Sequence, residues 1–100
     1  MTEKIYTLDE IRSKIRSCQT LLETTYNVDK IYIFGSYARG EQTSQSDIDL
    51  LVEFKKPLGL KFFTLEKFFS DLFGKEVDLG TPDGLKPFVK EKILQEAVQL

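Results

Sequence analysis

Apolar residues recur along this chain at two spacings, and the switches between them mark its elements. Ile11, Ile15, Cys18 and Leu22 follow helical spacing behind Thr7-Leu8-Asp9-Glu10, which has the form of a capping box, so an amphipathic helix is predicted from residue 8 to about 24. Asn27 turns the chain into Ile31-Tyr32-Ile33-Phe34, a short apolar run that stops at Gly35 and reads as a buried strand. Tyr37-Ala38-Arg39 begins a further helix, with Ser36 placed to cap it, and Gly40 to Ser46 is a polar connection. From Asp47 to Phe54 the spacing becomes two, so that Ile48, Leu50 and Val52 share one face and Asp47 and Asp49 the other. Lys55 to Lys61, with Pro57 and Gly59, is a loop. Phe62, Leu65, Phe69, Leu72 and Phe73 return to helical spacing, with Gly74 as C-cap. Phe63 and Phe68 lie off this stripe and are expected at the core edge; exposed, they would mark a partner surface. Val77-Asp78-Leu79 is a short strand whose aspartate points away from its apolar neighbours, and Phe88, Ile93, Leu94, Ala97 and Val98 distribute as a last amphipathic helix from Lys86-Pro87 to Val98.

This order of elements predicts an α+β fold: a small mixed sheet of three to four strands with helices packed on one side. One hundred residues build one such domain, over 1–100, and not two.

Composition narrows the chemistry. The chain has no histidine, which excludes a histidine-based triad and histidine metal ligation. Its single cysteine, Cys18, has no partner for an internal disulfide and is expected as a buried structural thiol on the first helix. A formal charge of −2 with scattered lysines argues against nonspecific nucleic-acid binding. The start, Met1-Thr2-Glu3-Lys4, lacks a secretory pattern and no apolar run approaches membrane-spanning length, so the cytoplasm is expected.

The informative segment is Phe34-Gly35-Ser36-Tyr37-Ala38-Arg39-Gly40 followed by Ser46-Asp47-Ile48-Asp49. Gly35 can take backbone angles closed to other residues, and the N–H groups of the turn it makes attract anions. Two carboxylates on alternate residues of a half-buried strand repel unless a cation lies between them, and magnesium is the natural choice. Arg39 either binds a phosphate or pairs with Glu41, while Tyr37 is expected to pack against the sheet. Read alone as a turn residue and a solvent-facing strand residue, Asp47 and Asp49 leave the glycine-serine turn unexplained.

Gly35-Ser36, Arg39-Gly40 and Ser46-Asp47-Ile48-Asp49, in this register after a strand, resemble the signature of the DNA polymerase beta nucleotidyltransferase superfamily. With Glu76-Val77-Asp78-Leu79 and Thr81-Pro82 downstream, the chain is most similar to its minimal nucleotidyltransferases. The resemblance implies the polymerase-beta-like fold, two Mg2+ ions held by Asp47 and Asp49, and the terminal phosphates of ATP held by Gly35 and Ser36. It also implies a third carboxylate that completes the metal site and helps deprotonate the acceptor hydroxyl. Asp78 is the candidate, with Asp71, Asp83 and Glu53 as weaker ones. Minimal nucleotidyltransferases are typically found beside HEPN-domain proteins, so the implied activity is transfer of AMP from ATP to a hydroxyl, such as a tyrosine's, of a partner HEPN toxin, with this chain as antitoxin. Competing readings are a non-catalytic antitoxin acting by occlusion and a small-molecule transferase. One departure is visible: where the group often carries several arginines after the Thr-Pro, this chain has Phe88-Val89-Lys90-Glu91-Lys92.

Overall fold

A computed structural model describes residues 5–100. The residues Met1-Thr2-Glu3-Lys4, on which the missing secretory pattern was read, lie outside the described part. The first helix begins as expected, with the Thr7 hydroxyl accepting from the Glu10 N–H at 3.1 Å and Glu10 Oε1 accepting from the Thr7 N–H at 3.0 Å. It does not run to 24. Helix α1 (Leu8–Ser17) stops at Cys18, whose backbone sits near φ −117°, ψ 20°, outside helical geometry, and α2 (Gln19–Thr25) begins beyond it. The break lets Ile11 and Ile15 on one helix and Leu22 on the other all reach the core. Cys18 itself is half-buried rather than enclosed, its thiol donating to the carbonyls of Lys14 and Ile15, and burial pushes that thiol up.

Asn27 turns the chain at φ 53° into β1 (Val28–Phe34), three residues longer at its start than the apolar run alone suggested. After the short helix α3 (Ser36–Arg39) come β2 (Ile48–Phe54), α4 (Lys61–Phe73), β3 (Val77–Gly80), a single 3-10 turn at Pro82–Gly84, α5 (Pro87–Glu96) and β4 (Val98–Gln99). The sheet order is β3-β2-β1-β4. Strand β1 is antiparallel to both β2 and β4, while β2 and β3 run parallel, which makes the expected mixed sheet. Ile48, Leu50 and Val52 of β2 join Ile31 and Ile33 of β1 in one apolar face, against which Ile11, Ile15, Leu22, Leu65, Phe69 and Phe73 close the core. Helix α4 buries Leu65, Phe69 and Phe73 at spacings of four and ends on left-handed Gly74. The Tyr6 ring meets Phe73 edge-on at 5.6 Å, and its hydroxyl donates to the Phe73 carbonyl at 2.7 Å. Phe68 packs at the core edge beside Tyr26, whereas Phe63 is 66% exposed.

The C-terminal expectation fails in two respects. Helix α5 stops at Glu96, and Val98 belongs to β4 rather than to the helix. None of its side chains is buried, and Phe88 is 79% exposed, so its apolar spacing is not spent on the core. Pro87 at its first turn and the N–H of Ala97 bonded to the Ile93 carbonyl set its two ends. Among the described residues no helix is long and apolar enough to cross a membrane.

Candidate active site

Strand β1 delivers the chain into Gly35, whose φ of 72° and ψ of −149° are open to glycine alone. A second constraint fixes the residue. A Cβ built there would overlap the Asp49 carboxylate, with Asp49 Cγ at 3.3 Å. The turn and the acid are therefore in direct contact. Gly35, not Ser36, is the N-cap of α3; Ser36 is its first helical residue and makes no capping bond. Tyr37 is 1% exposed and anchors the helix in the core, and Gly40 ends it in the left-handed region.

Asp49 lies on β2 between Phe34 of β1 and Asp78 of β3. The parallel register pairs Ile48 with Val77, Asp49 with Asp78 and Leu50 with Leu79, so the apolar partners enter the core together and the two acids stand side by side on the other face. The Ile48 N–H continues this ladder to the Glu76 carbonyl at 3.1 Å. Burial first, then the charge and hydrogen bond of Asp78 and the charge of Asp47, raise the Asp49 pKa to about 6, with Arg39 opposing them.

Asp47 is exposed and lies one residue before β2, not on it as the alternation implied. It adds charge to the pair. Among the described residues, no three acidic side chains converge in metal-ligating geometry. The structure also sorts the weaker acids. Asp71 pairs with Lys67 on the surface of α4, Asp83 is fully exposed near Lys90, and Glu53 sits across from Lys30 toward the far end of β2.

Of the two contacts open to Arg39, the structure shows the pairing with Glu41 and adds a second acid, Glu96. Its Nε donates to Glu41 at 2.6 Å, and its Nη1 donates to Glu96 at 2.8 Å. Glu96 Oε1 also accepts the Gly35 N–H at 3.1 Å. Sequence reasoning missed Glu96, because the strand that brings it here, β4, is two residues long and carries no periodic signal.

The chain and its fold have counterparts. The nucleotidyltransferase domain family matches residues 11–100. A provisionally named protein adenylyltransferase of Methanocaldococcus jannaschii is 47% identical over 94 residues, covering 92% of this chain and 96% of its own. Protein adenylyltransferase MntA of Thermococcus cleftensis is 40% identical over 93 residues, covering 92% of this chain and 94% of its own. Among solved structures, one described provisionally as a minimal nucleotidyltransferase superposes with a TM-score of 0.80 at 32% identity, over 95% of this chain and 97% of the other. A toxin-antitoxin structure with AMP-PNP shares the fold, at a TM-score of 0.68 and 23% identity over 91% of this chain and 69% of that one. Motif, sheet register and near full-length similarity agree: the chain belongs to the nucleotidyltransferase domain family and is an enzyme of its minimal kind.

Proposed function

We propose that this protein is a magnesium-dependent protein adenylyltransferase. It transfers AMP from ATP to a hydroxyl, such as a tyrosine's, of a partner HEPN-domain toxin, and so acts as a cytoplasmic antitoxin within a single domain over 1–100. The observation that carries this reading is the pairing of Asp49 with Asp78 across β2 and β3, in contact with the Gly35 turn. The names of the relatives support a protein acceptor, and the toxin-antitoxin neighbour of the same fold is consistent with a toxin as partner.

The chemistry of the donors suits the expected ion, although among the described residues the three acids do not converge in metal-ligating geometry. Two facing carboxylates with a third acid adjacent are hard oxygen ligands, and burial first, then the charges of Asp78 and Asp47, hold the Asp49 carboxyl above its ordinary range. Asp49 and Asp78, with Asp47, would hold Mg2+, and bound magnesium lowers the cost of charge gathering on the triphosphate during in-line attack. The chain's own groups do the rest. The Gly35 N–H and Ser36 hydroxyl bind terminal phosphate oxygens, Arg39 adds positive charge, and Gly35 keeps the phosphates close to Asp49. Asp78, exposed at the rim, takes the proton of the incoming hydroxyl. The new bond joins that oxygen to the α-phosphorus, and pyrophosphate leaves.

The test uses ATP labelled at the α-phosphate, Mg2+ and the product of the adjacent gene. Label is expected on that protein, on a tyrosine, and absent when Asp47→Asn is combined with Asp49→Asn. If the double variant protects cells from the toxin as well as its parent, occlusion is the mechanism. Label on an aminoglycoside but never on protein would mark a small-molecule transferase.

A further inference from the structure

The seat assigned to phosphate already carries an anion from the chain itself. Glu96 Oε1 accepts two hydrogen bonds there, from the Gly35 N–H at 3.1 Å and from Arg39 Nη1 at 2.8 Å. This is not a wandering surface side chain. Strand β4 pairs Val98 with Ile33 and Gln99 with Tyr32, and the Leu100 N–H donates to the Ile31 carbonyl at 2.9 Å. Continued by one step of two residues, that antiparallel register sets Glu96 opposite Gly35. The sheet edge thus delivers a carboxylate to the turn, where it meets one backbone donor and one guanidinium, the donors that a phosphate oxygen would take.

The segment that carries Glu96 is lightly held. Helix α5 buries none of its side chains, with Phe88 and Leu94 exposed, and β4 contributes only two residues to the sheet. Segments with so few buried contacts open locally at low free energy.

We propose that Glu96 is an internal occupant of the phosphate seat: its carboxylate holds the Gly35 N–H and Arg39 until nucleotide phosphates displace it, so that nucleotide entry and release of the α5–β4 strap are one event. The inference rests on the reading that the Gly35–Arg39 turn receives phosphate. Glu96 is then an autoinhibitory group, and its charge sets the nucleotide affinity of the resting enzyme. Substituting Glu96→Gln keeps the size and one acceptor oxygen but removes the competing charge.

The experiment measures binding of a non-hydrolysable ATP analogue with Mg2+ to the full chain by calorimetry, for the parent, Glu96→Gln and Glu96→Ala. Amide exchange at Val98 to Leu100 is followed in the parent with and without the analogue. The expected result is affinity roughly three- to tenfold higher in both variants, the range for losing one partly exposed charged hydrogen bond, and faster exchange at 98–100 when the parent is saturated. Equal or weaker binding by both variants overturns the proposal and leaves Glu96 as a positioning residue for Arg39. Tighter binding with exchange at 98–100 unchanged overturns the coupling to the strap. Absence of binding in every chain overturns the phosphate reading of the turn, and the inference with it.

Discussion

At Gly35 two requirements meet in one residue. Its positive φ excludes a side chain on torsional grounds, and the Asp49 carboxylate occupies the space that a Cβ would need. Gly35→Ala should therefore lower stability by about 2–4 kcal/mol in urea titrations, more than torsion alone costs, and should abolish nucleotidyl transfer. Asp49 gives the opposite sign. Its pKa is raised from 3.8 to about 6 in the folded chain, so the folded state binds its proton more tightly than the open chain does. Stability from this group is complete below about pH 4 and lost as pH rises through 6. Asp49→Asn should thus raise Tm by roughly 3–6 °C at pH 7.5, allowing for screening at a half-buried group, with the gain vanishing near pH 4. A variant that melts with its parent at pH 7.5 would show that burial, Asp78 and Asp47 together do not burden this carboxyl.

Among the elements, legibility followed burial. Helix α4 was readable because Leu65, Phe69 and Phe73 pack as a stripe on the sheet, and β2 because its alternation separates core from site. The strand parity of Asp78 was equally plain, but its pairing with Asp49 rests on a parallel register that no local residue pattern encodes. The break at Cys18 was invisible, since Ile11, Ile15, Cys18 and Leu22 keep helical spacing through a residue whose backbone leaves helical geometry. In α5 the same kind of spacing misled, because its apolar positions meet no core. The contrast is measurable: Phe69→Ala should cost about 3–5 kcal/mol, as for a filled core site. Phe88→Ala should stay within about 0.5 kcal/mol, as for an exposed one. A large loss at Phe88 would mean that α5 is packed more firmly than its exposure indicates.

For the molecule as a whole, the site is where folding and function oppose each other. A 100-residue domain is stabilised by only about 5–15 kcal/mol, and it gathers Asp47, Asp49 and Asp78 near one another, with Arg39 the cation acting on Asp49 among the described residues and itself engaged by Glu41 and Glu96. Sequence showed the acids and their faces. The repulsion between Asp47 and Asp49 was legible there too; that Asp78 adds to it appeared only once β2 and β3 were paired. A cation that binds this group in the folded state alone must stabilise the whole chain by linkage, by about 1.4 kcal/mol at ten times its dissociation constant, or roughly 5–10 °C in Tm for a domain this size. Mg2+ should therefore raise the melting temperature at pH 7.5. The rise should shrink at pH 5, where the proton on Asp49 competes with the ion, and should be largely absent in Asp49→Asn. Potassium at matched ionic strength separates this from general screening. If magnesium shifts Asp49→Asn as far as its parent, the ion acts elsewhere, and the facing carboxylates are not its seat.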